Sequence, residues 1–127
     1  MTAVALTQDT FEVTIEQDGI VLVDWWASWC GPCRQFAPVF EAAAEANPDI
    51  VFGKIDTEAE PQLSASARIM SIPTLMAFRD GILVFSQPGA LPAPVLDDLI
   101  GQVRALDMDE VREQLAAEPA DGEPADS

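Results

Sequence analysis

Residues 23–33 read Val-Asp-Trp-Trp-Ala-Ser-Trp-Cys-Gly-Pro-Cys, and this stretch joins a predicted strand to a predicted helix. The apolar, β-branched and aromatic run over residues 20–27 is typical of a central strand that helices cover on both faces. Pro32 suits the first turn of a helix, because the N–H group it lacks would have no intrahelical partner there. The pattern therefore predicts that Cys30 and Cys33 lie at a strand-to-helix junction.

Strand and helix patterns alternate along the rest of the chain. Strands are predicted at residues 4–6, 20–27, 50–56, 74–78 and 82–86, and Arg79-Asp80-Gly81 supplies the turn chemistry of a hairpin between the last two. Helices are predicted at residues 8–17, 32–46, 58–67 and 94–106. This order predicts an α/β domain with a mixed sheet.

Composition excludes several classes of function. The chain has 127 residues, of which 49% are hydrophobic, so it can bury the core of one domain. A formal net charge of −16 argues against nucleic acid or an anionic membrane as partner. Histidine and tyrosine are absent, which excludes Ser-His and Cys-His nucleophile pairs, histidine metal ligands and a phenolic acid. The chemistry must use carboxylates, hydroxyls, the backbone or the two cysteines.

Cellular location is predicted from what the chain lacks. The first residues carry no basic segment followed by an apolar stretch, and no apolar run approaches the roughly 18 residues of a membrane span. We therefore expect a cytoplasmic protein, where a Cys-x-x-Cys pair indicates redox or metal chemistry more often than a structural disulfide.

The balance of acidic and basic residues changes near residue 106. Residues 1–105 carry 14 acidic and 5 basic groups, whereas residues 106–127 carry 8 acidic groups and 1 basic group. We therefore predict a domain over residues 1–106, a short helix over 107–117, and a disordered acidic tail over 118–127, where large apolar side chains are absent.

The two cysteines are predicted to be a redox pair. Unpaired N–H groups at the start of the helix favour a thiolate on Cys30, and the thiolate is the nucleophile of disulfide exchange. Cys33, one turn into the helix, is close enough to resolve a mixed disulfide formed by Cys30. Half of a zinc site is an alternative, but a closed structural zinc needs four ligands and only a dimer could supply them. An inert pair of buried cysteines is the other alternative.

The segment 29–33, with Asp24 six residues before Cys30 and with Ile72-Pro73-Thr74 further on, resembles the thioredoxin family from about Leu6 to Ala105. The resemblance implies a mixed five-stranded sheet flanked by four helices, with the dithiol at the start of the second helix and a short acidic C-terminal extension. From the residues alone, a carboxyl group between Val23 and Trp25 loses hydration and should have a raised pKa.

The resemblance also implies roles for individual residues. Asp24 corresponds to the buried aspartate that assists proton transfer at Cys33, and Lys54 corresponds to a lysine that approaches it. A cis proline is implied at Pro73, which leaves the backbone of Ile72 free to pair with a substrate strand. The implied substrate-binding rim comprises Trp29, Gly31, Pro32, Ile72, Pro73, Gly89 and Ala90.

The implied function is reduction of protein disulfides. Cys30 is the nucleophile and Cys33 the resolving thiol, oxidised proteins are the substrates, and a thioredoxin reductase recharges the dithiol. We expect a monomer with no bound cofactor or metal. Oxidase and isomerase relatives usually have histidine inside the motif, whereas Pro32 favours reduction. The alternative is a binding or holdase module in which the apolar rim and the acidic tail select partners.

Overall fold

A computed structural model describes residues 3–117 as a central sheet with helices on both faces. The strands are β1 (Val4–Ala5), β2 (Ile20–Trp26), β3 (Val51–Asp56), β4 (Thr74–Arg79) and β5 (Ile82–Pro88). The helices are α1 (Phe11–Ile15), α2 (Gly31–Ala46), α3 (Pro61–Ser66), α4 (Ala93–Ala105) and α5 (Met108–Ala117). Residues 118–127, for which the sequence predicts a disordered tail, lie outside the described residues. In the part that is described, no helix is long and apolar enough to cross a membrane.

The sheet has five strands in the order β1-β3-β2-β4-β5. β3 is parallel to both β1 and β2, whereas β4 is antiparallel to β2 and β5 is antiparallel to β4. The predicted mixed five-stranded sheet with four flanking helices is confirmed, and α5 adds a further helix in the C-terminal extension.

β2 separates two apolar cores. Ile20 and Leu22 pack on one face with buried residues of α2 and α4. Val21, Val23 and Trp25 pack on the other face, where α1 and α3 lie. Because both faces are covered, every residue of this strand up to Trp25 is buried.

β1 approaches β3 closely at Gly53. Val4 pairs with Gly53, and the N–H group of Leu6 donates to the carbonyl oxygen of Lys54 at 2.8 Å. A Cβ atom on Gly53 would lie 2.5 Å from Cδ1 of Leu6, which is buried. Glycine is therefore what allows the Leu6 side chain to pack on the sheet.

Two helices are shorter than the sequence predicts. The helix predicted over 8–17 spans Phe11–Ile15, because residues 8–10 form a turn in which Oγ1 of Thr10 accepts a hydrogen bond from the N–H of Thr7 at 2.9 Å. The helix predicted over 58–67 spans Pro61–Ser66. It begins after a turn in which the Asp56 carboxylate accepts a bond at 2.9 Å from the N–H group two residues later.

The start of the C-terminal extension packs against the domain. The Asp107 carboxylate accepts hydrogen bonds from the N–H groups of residues 109 and 110 at 3.1 and 3.3 Å, which caps α5. Met108 is buried, and Nη2 of Arg112 lies 3.4 Å from Oδ2 of Asp80 in the β4–β5 turn. The helix is therefore attached at the end of the sheet opposite the carboxyl end of β2.

Candidate active site at the Cys30–Cys33 pair

Cys30 and Cys33 form a disulfide, with their Cα atoms 5.2 Å apart. Only 3% of Cys30 and 2% of Cys33 is exposed. Since α2 begins at Gly31, Cys30 is its N-cap residue, and its Sγ accepts a hydrogen bond from the Cys33 N–H at 3.2 Å. The predicted strand-to-helix junction is thus the observed one.

The start of α2 favours negative charge on the Cys30 sulfur. The first N–H groups of a helix have no intrahelical acceptors, and the aligned peptide dipoles add partial positive charge at that end. α2 has 16 residues and no acidic residue in its first turn, so no carboxylate competes for these groups. When the disulfide is reduced, a thiolate on Cys30 is stabilised by the N–H group that already points at it.

The loop before β4 covers another side of the dithiol. Ile72 packs against the cluster that contains Cys30 and Cys33, and its carbonyl oxygen lies 3.7 Å from the Sγ of Cys30. The Ile72–Pro73 peptide bond is cis, and Pro73 is buried. Gly89, with φ +109°, donates its N–H to the carbonyl oxygen of Pro73 at 2.7 Å. The two segments predicted to form the rim are therefore hydrogen-bonded to each other.

The remaining rim residues lie at the surface around these segments. Trp29, directly before the dithiol, is 64% exposed. Pro32 is exposed and Gly31 is half-buried, both in the first turn of α2. Ala90 follows Gly89 and is exposed. Their assignment to substrate binding stays a prediction.

Asp24 is a buried carboxyl group on the α2 side of the sheet. It is 0% exposed, and it shares a face of β2 with Leu22, which packs against α2. Neither of its carboxyl oxygens has a hydrogen-bond partner among residues 3–117. Loss of hydration on burial raises the pKa of Asp24 to about 7, and the positive charge of Lys54 opposes that rise. The raised pKa predicted from its apolar neighbours is therefore found.

Lys54 is the partner of Asp24 across β2 and β3. The two residues are paired in the parallel register, so their side chains leave the same face of the sheet. The Nζ atom of Lys54 lies 5.1 Å from the centre of the Trp26 ring, within the range of a cation–π contact. The ammonium group is half-buried and supplies positive charge beside the carboxyl group.

A small cavity of about 90 Å³ connects Cys33 with Lys54. Its lining residues are Trp26, Ala27, Cys33, Arg34, Ala37 and Lys54. The sequence alone does not single out Arg34 for this position, since an arginine in the first turns of a helix is ordinarily a solvated side chain.

A larger groove of about 330 Å³ lies beside the dithiol on the side of Ile72. Its lining residues are Trp29, Thr57, Ser64, Ile69, Met70, Ser71 and Ile72. Met70 is 93% exposed, more than any other large apolar side chain of the described residues. The predicted rim does not include Ile69 and Met70, although this apolar pair is separated from Ile72 by Ser71 alone, which is the signal that could have indicated them.

The described residues contain no group of three or more histidine, cysteine, aspartate or glutamate side chains placed to hold a metal ion. The two sulfurs of the predicted redox pair are instead bonded to each other.

A mixed sheet that presents a reversible dithiol at the first turn of a covered helix defines a thiol-disulfide oxidoreductase. Comparison with known proteins identifies the family. The thioredoxin family model matches residues 2–102. A protein of Streptomyces coelicolor named as a thioredoxin is 58% identical over 117 residues, which are 92% of this chain and 87% of that protein. Thioredoxin of Alicyclobacillus acidocaldarius is 41% identical over 99 residues, covering 77% of this chain and 94% of that one.

Solved structures agree with this result. A thioredoxin mutant from Halobacterium salinarum has a TM-score of 0.74 and 32% identity, over 82% of this chain and 91% of that one. Plasmodium falciparum thioredoxin has a TM-score of 0.71 and 31% identity, over 79% of this chain and 97% of that one. The chain belongs to the thioredoxin family, which confirms the predicted resemblance. It acts by dithiol–disulfide exchange at Cys30 and Cys33.

Proposed function

We propose that the protein reduces disulfides in other proteins, with Cys30 attacking and Cys33 resolving. The Cys30 thiolate attacks one sulfur of the substrate disulfide, which forms a mixed disulfide and releases the first substrate thiolate. The Cys33 thiolate then attacks the Cys30 sulfur, which releases the second substrate thiolate and closes the Cys30–Cys33 disulfide. Two electrons pass from the dithiol to the substrate. The observation that carries this order is the Cys33 N–H directed at the Cys30 sulfur at 3.2 Å.

Asp24 supplies the base for the second step in this proposal. Cys33 must lose its proton before it attacks, and a carboxylate with a pKa of about 7 is matched to that transfer near neutral pH. Lys54 keeps part of the carboxyl population ionised, because its positive charge lowers the pKa that burial raises.

The substrate in this proposal is an extended polypeptide segment. The backbone of Ile72 pairs with it, and Trp29, Gly31, Pro32, Pro73, Gly89 and Ala90 form the rim on which it lies. The support is the position of Ile72 against the dithiol and the hydrogen bond that joins Gly89 to Pro73. The exposed Trp29 and Met70 also favour an apolar polypeptide surface as the substrate.

Family membership implies two kinds of partner, a reductase that supplies electrons and oxidised proteins that accept them. Within the proposal, the reductase is a thioredoxin reductase and the protein works as a cytoplasmic monomer without a bound cofactor. Proline at position 32, in place of a histidine that would stabilise the Cys30 thiolate, favours reduction over oxidation of substrates.

Covalent trapping tests the roles of the two cysteines. Reduced Cys33→Ser protein, incubated with a protein that contains one accessible disulfide, should accumulate a mixed disulfide through Cys30. Cys30→Ser protein should accumulate none under the same conditions. The adducts are counted by non-reducing electrophoresis and mass spectrometry. Equal trapping by the two variants would contradict the assignment.

A further inference from the structure

The six basic residues of this strongly acidic chain differ in what their side chains contact. At the end of the sheet far from the dithiol, Arg104 pairs with Asp49 at 2.7 Å and Arg112 pairs with Asp80 at 3.4 Å. Arg79 at the same end donates to three backbone carbonyl oxygens. These three cations are therefore engaged within the molecule.

Arg34 and Lys54 are placed differently. Both line the cavity that Cys33 lines, and neither forms an ion pair with a carboxylate within residues 3–117. Nη1 of Arg34 donates to the carbonyl oxygen of Ser28 at 2.8 Å, which leaves the other N–H groups of its guanidinium available. Asp24, the carboxyl group paired with Lys54 across the strands, is fully buried on the sheet face that α2 covers.

Acidic side chains outnumber basic ones by 22 to 6 in the whole chain, yet Arg34 forms no ion pair within residues 3–117 and Lys54 faces only the buried Asp24. Both residues line one cavity next to Cys33. The cavity, of about 90 Å³, has room for a small polar group such as a carboxylate.

We propose that this cavity is a subsite for an aspartate or glutamate carboxylate of the substrate polypeptide, placed next to the disulfide being reduced. The proposal rests on the proposed function and adds a substrate preference to it. Arg34 is the specificity-determining residue, and Lys54 contributes the second positive charge.

The preferred substrate carries one such carboxylate on a segment that is otherwise neutral or basic. The net charge of −16 repels a generally acidic partner, whereas a single carboxylate in contact with two cations gains from short-range attraction. The subsite therefore selects a local feature of the substrate rather than its overall charge.

Matched peptide disulfides test the proposal. Each peptide contains one disulfide on a neutral background, and glutamate is placed at successive positions on either side of one cysteine, with glutamine at the same position as reference. The ratio of kcat/KM for the glutamate and glutamine peptides is measured for the wild type, Arg34→Gln and Arg68→Gln. Arg68→Gln is the control, because it removes the same charge from a cation that lies on a different cavity.

For the wild type, at least one position should favour glutamate by about 2- to 5-fold, the range of exposed ion pairs. Arg34→Gln should lower that ratio toward 1, the remainder being the contribution of Lys54, and Arg68→Gln should leave it unchanged. The proposal is overturned if no position favours glutamate, or if both variants reduce the ratio equally. Reduction of the glutamine peptides reports separately on the proposed function. If the wild type reduces none of the peptides, that function fails and the subsite fails with it.

Discussion

Asp24 and Lys54 lie directly opposite each other on β2 and β3, with their side chains on the sheet face that α2 covers. The carboxyl group is fully buried without a hydrogen-bond partner in the described part of the chain, while the ammonium group lies over Trp26. Burial thus favours the neutral acid and the neighbouring cation favours the carboxylate. Their balance places the titration of Asp24 close to neutral pH.

The first prediction concerns stability and pH. Because the pKa of Asp24 is about 7 in the folded protein and 3.8 in the unfolded chain, the folded state binds the extra proton between these values. Stability must therefore fall as pH rises through this window. Between pH 5 and pH 8, the free energy of unfolding of the oxidised wild type should fall by roughly 2 to 3 kcal/mol more than that of Asp24→Asn. Urea denaturation at both pH values measures the difference, and parallel losses in the two proteins would contradict it.

The second prediction concerns the rate at which the mixed disulfide is resolved. If Asp24 accepts the Cys33 proton, the rate of resolution should rise with pH around 7 in the wild type. In Asp24→Asn, this rate should fall by about 10-fold or more at pH 8, while the initial attack by Cys30 keeps its rate. Single-turnover stopped-flow measurements separate the two steps. An unchanged rate of resolution would remove Asp24 from the mechanism.

The third prediction concerns Met70. Its side chain is 93% exposed and forms a wall of the groove beside Ile72. Met70→Ser should raise KM for a protein disulfide roughly 5-fold, which corresponds to about 1 kcal/mol of apolar contact, with kcat unchanged. A small aromatic disulfide that does not reach the groove should be reduced at the wild-type rate. Leu83→Ser, at an exposed position near the β4–β5 turn, is the matched control and should have no effect.

The fourth prediction concerns the attachment of the C-terminal end of α4. Nη1 of Arg79 donates to the carbonyl oxygens of Val103, Arg104 and Leu106 at 2.8, 3.0 and 3.0 Å. Arg79→Met removes these charged donors from the end of the helix and should lower the free energy of unfolding by about 2 to 3 kcal/mol. Arg112→Gln, which breaks exposed ion pairs only, should cost less than about 1 kcal/mol. Equal effects in denaturant titrations would contradict the role of Arg79.

The fifth prediction compares two glycines. Gly53→Ala places a methyl group 2.5 Å from Cδ1 of the buried Leu6 and should destabilise the protein by about 1 to 3 kcal/mol. Gly101 lies in α4, and a Cβ atom there would meet nothing within 4 Å. Gly101→Ala should therefore stabilise the protein by up to about 1 kcal/mol. Thermal unfolding of the two variants and the wild type should show a lower midpoint for Gly53→Ala and a higher midpoint for Gly101→Ala.

The elements with local sequence signals match their predictions. The strand before the dithiol, the helix after it and the hairpin around residues 79–81 follow from runs of apolar residues and from turn chemistry within a few positions. The starts of α1 and α3 differ from their predictions, because side-chain hydrogen bonds of Thr10 and Asp56 hold the preceding residues in turns. Helix propensity does not predict where such a hydrogen-bonded turn replaces the first turn of a helix.

The mixed sheet and the position of the cysteine pair at the start of α2 follow from apolar periodicity and turn chemistry, and the short motifs in residues 24–33 and 72–74 carry the resemblance to the family. The distant residues that surround that pair are apparent only in the folded chain. The register of β2 on β3 places Lys54 beside Asp24, and the loop before β4 brings the Ile72 carbonyl to Cys30 and exposes Met70. The same packing puts Arg34 and Lys54 on one cavity with Cys33. Strand register and loop packing depend on contacts between residues far apart in the chain, which no local pattern encodes.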